Sequence, residues 1–320
     1  MVRRAGRLLR SGGLVAFPTE TVYGLGANAL DAAAAARIFA AKGRPADNPL
    51  IVHVADGEEA AALSLAWPAA AVRLVRAFWP GPLTLVVPAS PVVPAVVRAG
   101  LPTVAVRCPA HPVARALLRA ARVPVAAPSA NRSGRPSPTT ARAVAEDLDG
   151  RVDLVVDGGS AGIGVESTVV DVSVSPAVLL RPGGLPREDI EAVVGPLVEP
   201  TPGGPARSPG MKYRHYAPDR PVVWLRRSPA EAAAVVRARC DPAATGVLAP
   251  TAVLAALPEY VHAVDLGPSA ETAAQRLFEG LRRLDRIPAV RVIVAVWDSD
   301  RGLGLAIGNR LAKAAGEVWT

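Results

Sequence analysis

At 320 residues the chain exceeds one average domain and falls short of three, so two domains are expected, each with its own core. No apolar run reaches the roughly 18 residues of a bilayer span before Arg, Pro or Gly interrupts it, which excludes a membrane helix and predicts a soluble protein. A net charge of +8 favours polyanionic partners, nucleotide phosphates or an RNA surface, and nearly all of the basic charge is arginine, with lysine only at Lys42, Lys212 and Lys313.

The first seventeen residues, MVRRAGRLLRSGGLVAF, carry too many arginines and too early a Ser11-Gly12-Gly13 break for the apolar centre of a signal peptide. They read as an amphipathic helix with a glycine stop, leading into a strand over Leu14 to Phe17. FPTETVYGLGANAL, Phe17 to Leu30, is the densest cluster of polar residues that a core does not need. Thr19, Thr21, Tyr23 and Asn28 interleave there with Gly24 and Gly26, which predicts a loop where backbone approaches a ligand at a strand carboxyl end. Asp31 to Ala41 reads as a helix with Asp31 as its N-cap. In AAKGRPADNPLIVHV, Lys42 and Arg44 close that helix, while Asn48 and His53 flank a strand over Leu50 to Val54. The two cations either complement the helix dipole or hold a triphosphate, Arg44 as a fork and Lys42 as a point charge.

Further strands are expected at Leu83 to Val87, Thr103 to Arg107 and Val123 to Ala127, with a helix over Pro112 to Ala121. VPVAAPSANRSGRPSPT then presents Ser129, Asn131, Ser133, Ser137 and Thr139 around Gly134 and Arg135, a set that suits a nucleotide or an amino acid at a strand end. Strands at Val152 to Val156, Ser167 to Val172 and Ala177 to Leu180 complete an α/β domain with a twisted mixed sheet, and Ser167, Thr168 and Arg181 again fall at strand ends. From Gly195 to Pro221 no period of 2 or 3.6 survives among prolines and glycines, which marks a linker or a functional lid. Beyond it, strands at Val222 to Leu225, Gly246 to Ala249, Val261 to Leu266 and Val292 to Trp297 alternate with helices. That is the pattern of a smaller Rossmann-like open parallel sheet, here without GxGxxG. The expected organisation is a catalytic domain over residues 1–195, a linker or lid over 196–220, and a C-terminal domain over 221–320.

The chain holds no Walker A loop, GxSxG elbow, HExxH or kinase signature. Cys108 and Cys240 are far apart, and His53, His111, His215 and His262 are scattered, so a reducing cytoplasm is expected and no protein-built metal site. What remains is a strand-end pocket with phosphate-binding cations, hydroxyl contacts and no obvious nucleophile. Such a site catalyses by positioning and charge stabilisation.

At these residues the sequence resembles the two-domain YrdC-like threonylcarbamoyl-AMP synthases. The matching segments are FPTETVYGLG, KGRPADNPLIVHV, TVAVRCPAHP, APSANRSGRPSPT, ESTVVDV, LLRPGG, SPGMKYRHYAP and GLGLAIGNRLAKAA, in the family's order over essentially the whole chain. The resemblance implies a YrdC-like mixed-sheet domain, a linker and a Rossmann-like domain. It implies a nucleotidyltransferase that forms threonylcarbamoyl-AMP and pyrophosphate from L-threonine, bicarbonate and ATP, for the N6-threonylcarbamoyladenosine modification of tRNA. On this mapping Lys42, Arg44, Ser129 and Asn131 line the catalytic pocket, and Thr21, His53, Arg107, Ser129 and Ser167 hold L-threonine. Arg44, Asn48, Thr103, Asn131, Ser137, Arg181, His215 and Tyr216 contact ATP, the last two from a linker that closes over the nucleotide. Mg²⁺ arrives on ATP and not on protein ligands. The adenylate passes to a tRNA threonylcarbamoyl transferase complex, with direct tRNA contact allowed but not required.

Two other readings stand beside this one. A basic RNA-binding module is disfavoured because the polar residues gather in strand-end loops and not along a basic or aromatic stripe. A carbamoyltransferase using carbamoyl phosphate in a similar pocket needs further catalytic domains, for which 320 residues leave no room.

Overall fold

The computed structural model describes residues 1–200 and 215–320, and these fall into two compact units. The first takes residues 1–133, 138–162 and 166–200, and the second takes 134–137, 163–165 and 215–320.

The first unit is built on nine strands: β1 (Val15–Phe17), β2 (Gly24–Asn28), β3 (Ile51–His53), β4 (Leu83–Pro88), β5 (Thr103–Arg107), β6 (Val125–Ala126), β7 (Leu154–Val155), β8 (Thr168–Asp171) and β9 (Val178–Arg181). They lie in the order β7-β1-β2-β6-β3-β5-β4-β8-β9. The sheet is mixed, with β1/β7, β3/β5 and β4/β8 parallel and the remaining pairs antiparallel. One expectation is corrected here, because Gly24–Asn28 is a strand and not part of a loop. Its glycines are what disguised it: a β-carbon at Gly26 would stand 2.8 Å from both the Phe17 ring and Val125, so only glycine lets β2 lie under those side chains.

Helices place the rest. Val2–Arg10 buries Ala5 and Leu9 against helix Pro112–Ala121, and Gly6 comes so close that a β-carbon there would be 2.7 Å from the backbone of Ala120. Ala32–Lys42 starts where Asp31 accepts from the N–H groups of Ala33 and Ala34, and stops at Gly43 with φ of 61°. Strand alternation then sorts the sheet's two faces. Val52, Val104, Val106, Leu85 and Val170 join the large core that includes Ile38 and Leu74. Ile51, Val86, Ala105, Val169 and Leu180 form a small cluster on the other face, and by the same alternation this is the face of His53, Thr84, Thr103, Arg107 and Ser167.

The second unit is an all-parallel sheet of β10 (Val222–Leu225), β11 (Thr245–Ala249), β12 (Ala263–Asp265), β13 (Val292–Val296) and β14 (Glu317–Trp319), ordered β12-β11-β13-β10-β14. The edge strand β14 is an addition to the sequence expectation; its exposed Glu317 and Val318 carry no apolar alternation that could announce it. Residues 134–137 and 163–165 belong to this unit although they interrupt the first in sequence. Gly134 O accepts from Ala217 N at 2.9 Å, and Arg135 bridges Asp219 and Asp285 at 2.6 and 3.1 Å.

Candidate active site

Register brings the polar strand ends together. His53 pairs with Arg107 across parallel β3 and β5, Leu83 with Thr168 across β4 and β8, and Val169 with Arg181 across β8 and β9. Arg107 is 3% exposed and spreads its guanidinium over three acceptors: Nη1 to Thr21 Oγ1 at 2.9 Å, Nη2 to Glu20 Oε1 at 2.7 Å, and Nε to Gly81 O at 3.3 Å. Thr21 is fixed a second time by Thr19, whose hydroxyl lies 2.8 Å from its own and donates to Val22 O. Burial alone would raise the Glu20 carboxyl, but the charge and hydrogen bond of Arg107, with backbone donors, hold it below the usual carboxylate range.

His53 is buried beside this pair, with the Phe17 ring edge-on at 6.2 Å. Burial first, and the Arg107 charge second, push its pKa down to about 3, with Glu20 offsetting part of the effect. The imidazole is therefore neutral at physiological pH, and its Nδ1 has no hydrogen-bond partner. Ser167 Oγ sits 2.8 Å from Thr84 Oγ1, while Arg181 Nη2 donates to Ser167 O at 2.9 Å and to its Oγ at 3.2 Å. Glu20 and Thr84 are the two residues here that sequence reasoning passed over. Glu20 was legible as the charge between Thr19 and Thr21, and Thr84 as the polar residue inside LTLVVP.

A second group gathers toward the opposite ends of β3 and β5. Lys42 is buried and its Nζ donates to Ser129 O at 2.6 Å and to Asn131 O. Ser129 Oγ donates to Asn131 Oδ1 at 2.6 Å, closing a compact loop after β6. Arg44 directs Nε to Asn48 O and Nη2 to Pro49 O, at 3.2 and 2.9 Å. Much of the fork expected to grip a triphosphate thus ties down its own loop. Asn48 is buried just before β3, and its Nδ2 has no hydrogen-bond partner. Thr103 opens β5 on the same face as Arg107 but four residues away, about 13 Å along a strand.

Three expected residues lie in the second unit. Ser137 is buried there. Tyr216, with φ of 64°, stacks on Phe278 at 5.3 Å between ring centroids and under the Arg310 guanidinium at 5.4 Å, with His215 beside it. Residues 201–214 of the lid expected over 196–220 lie outside the described residues. Among the described residues no three His, Cys, Asp or Glu side chains are grouped to hold an ion.

Residues 7–183 match the Sua5/YciO/YrdC family, described as telomere recombination, and residues 185–316 match the family described as threonylcarbamoyl-AMP synthase, C-terminal domain. The threonylcarbamoyl-AMP synthase of Pyrococcus abyssi is 50% identical over 98% of this chain and 94% of its own length. The chain belongs to the threonylcarbamoyl-AMP synthase family. The Bacillus subtilis protein of that name is 47% identical over 98% of this chain and 93% of its own. The crystal structure of P. abyssi Sua5 complexed with L-threonine matches with a TM-score of 0.90, 47% identity, and coverage of 99% of this chain and 95% of that one. Full-length HypF, at 20% identity and a TM-score of 0.52, shares the fold over 58% of this chain, which spans 30% of that protein.

Proposed function

We propose that this chain is an L-threonylcarbamoyladenylate synthase, joining L-threonine, bicarbonate and ATP and releasing pyrophosphate. The observation that carries the reading is the division of one sheet face into two polar ends within a chain half identical to a synthase along its length. Thr21, His53, Arg107 and Ser167 hold threonine at one end. Arg44, Asn48, Thr103 and Asn131 hold ATP at the other, where Ser129, expected to hold threonine, is bonded to Asn131. The separation of about 13 Å between Thr103 and Arg107 leaves room between them for the α-phosphorus to meet the carboxylate carried on the threonine nitrogen. Arg181, expected among the ATP contacts, grips Ser167 and is proposed to act through it at the threonine end.

In this reading the threonine amine displaces water from bicarbonate to give the N-carboxylate, one of whose oxygens attacks the α-phosphorus in line as pyrophosphate leaves. The chain contributes position and field. Arg107, fixed by three acceptors, orients the amino acid, and neutral His53 offers a hydrogen bond without a competing charge. Lys42 sets the Ser129–Asn131 loop and keeps its charge near the phosphates, where charge accumulates on the leaving group. Ser137, His215 and Tyr216 are proposed as further nucleotide contacts. The structure of a P. abyssi Sua5 variant with an adjacent histidine and tyrosine replaced by alanine has been determined, and His215-Tyr216 is this chain's only such dipeptide. Residues 1–195, 196–220 and 221–320 are proposed as catalytic domain, lid and anchor.

The adenylate is proposed to pass to a tRNA threonylcarbamoyl transferase complex in the cytoplasm. Free Cys108 and Cys240 suit that compartment, and no described helix is long and apolar enough to cross a membrane. The test is incubation of the full chain with ATP, labelled bicarbonate and each amino acid in turn. Label in a carbamoyl adenylate, with pyrophosphate release that requires threonine, is expected. Release without any amino acid overturns the reading.

A further inference from the structure

We propose that Glu20 binds the α-ammonium of the amino-acid substrate and so makes the site specific for a free amine. The inference rests on the amino-acid site proposed above. Only one of the two Glu20 oxygens is engaged across the Arg107 ion pair, at 2.7 Å; Oε2 is buried and has no hydrogen-bond partner. A buried acceptor without a donor is costly, and an ionised one more so, which makes Oε2 a place where an incoming donor gains the most.

The local charge balance says which donor. Arg107 and Glu20 cancel, and His53 beside them is neutral, so these three groups have no net charge to offer a cation alone or an anion alone. A zwitterion adds no net charge either, provided each of its ends meets its opposite. The carboxylate then falls to the arginine side of the pair and the ammonium to Glu20 Oε2. His53 Nδ1, the second buried polar atom here without a partner, is left for the side-chain hydroxyl. Glu20 holding Arg107 in place would need one oxygen facing the guanidinium and would leave the other indifferent to substrate. Recognition of the ammonium predicts that the other oxygen reads the ligand.

The experiment compares L-threonine with (R)-3-hydroxybutanoate, the same skeleton with hydrogen in place of the ammonium, by titration calorimetry on the full chain with ATP present. Wild-type protein is expected to prefer threonine by about 10- to 100-fold, the span of one hydrogen bond between charged groups. Glu20→Gln is expected to shrink that preference to within about threefold, because the compound without the ammonium never used Oε2. Equal weakening of both ligands by Glu20→Gln, which is what a residue that only positions Arg107 would give, overturns the proposal. Should Glu20→Gln fail to fold, the wild-type ratio and that of Glu20→Asp, which keeps the charge, decide: a wild-type ratio near one is fatal, and a preference retained in Glu20→Asp supports it. Wild-type protein that binds neither compound removes the amino-acid site itself, a failure distinct from a lost preference.

Discussion

Lys42 Nζ donates to the backbone oxygen of Ser129 at 2.6 Å, so a buried ammonium at the end of one helix fixes the loop that follows β6. Asn131 O is a second acceptor for the same nitrogen, and Ser133 N returns a bond to Lys42 O at 2.8 Å. The lysine is as much a structural tie as a phosphate cation.

Lys42→Met keeps the aliphatic stem and removes the charge, leaving two carbonyls without their charged donor. A loss of about 2–4 kcal/mol in urea unfolding is expected, together with at least a tenfold weaker ATP affinity by calorimetry. An unchanged unfolding free energy would show that the carbonyl contacts add nothing.

Arg44→Lys tests the neighbouring cation. The side chain holds Asn48 O and Pro49 O through two different nitrogens, a geometry that a lysine head group cannot copy. Stability should fall by about 1 kcal/mol, and adenylate formation should drop nearly as far as in Arg44→Ala. Near-normal turnover in the lysine variant would remove the fork from the mechanism.

Much of this was legible in the sequence where local rules are strong. Asp31 before an alanine-rich run announced the helix that delivers Lys42, and Thr103 to Arg107 was read with the bounds that β5 has. The gathering of Thr21, His53, Arg107 and Ser167 came through resemblance, since their register across four elements is a tertiary fact. β2 was hidden because close packing under Phe17 demands glycine, the residue that ordinarily marks a turn. The allegiance of residues 134–137 and 163–165 to the second unit had no sequence signal, for it is written in partners more than fifty residues away, such as Asp219 and Asp285 for Arg135.

His53 gives a pH test with a defined sign. Its pKa falls from 6.5 to about 3 on folding, so below 6.5 the unfolded chain binds a proton that the folded chain refuses. The stability tied to the neutral ring is complete above pH 6.5 and is lost as pH falls toward 3. Between those values the slope reaches up to about 1.4 kcal/mol per pH unit. His53→Gln, which cannot titrate, should lose less stability between about pH 7 and about pH 4 than wild type does, with the gap read from urea midpoints at each pH. Parallel curves for the two proteins would mean that His53 is protonated in the fold.

Gly183→Ala probes how the Ser167 end is held. A β-carbon at Gly183 would lie 2.3 Å from Glu166 O and from the carbonyl carbon of Ser167, and 2.4 Å from Thr168 N, all of them backbone atoms. Backbone cannot rotate aside as a side chain would, so the added methyl has to push residues 166–168 off the sheet. The Gly184 N–H bond to Glu166 O at 2.8 Å and the Arg181 grip on Ser167 O at 2.9 Å both lie in the path of that shift. Loss of about 1–3 kcal/mol in unfolding free energy is expected from the overpacking. The functional effect should be selective: threonine binding weakens by at least about tenfold as Ser167 leaves Thr84, whereas ATP binding, whose proposed groups lie around Lys42 and Asn48, changes by less than about threefold. Calorimetry with each ligand separately reads the two effects. Equal weakening of both would place Ser167 and Arg181 in a site shared by the two substrates, and unchanged threonine binding would take Ser167 out of the amino-acid site.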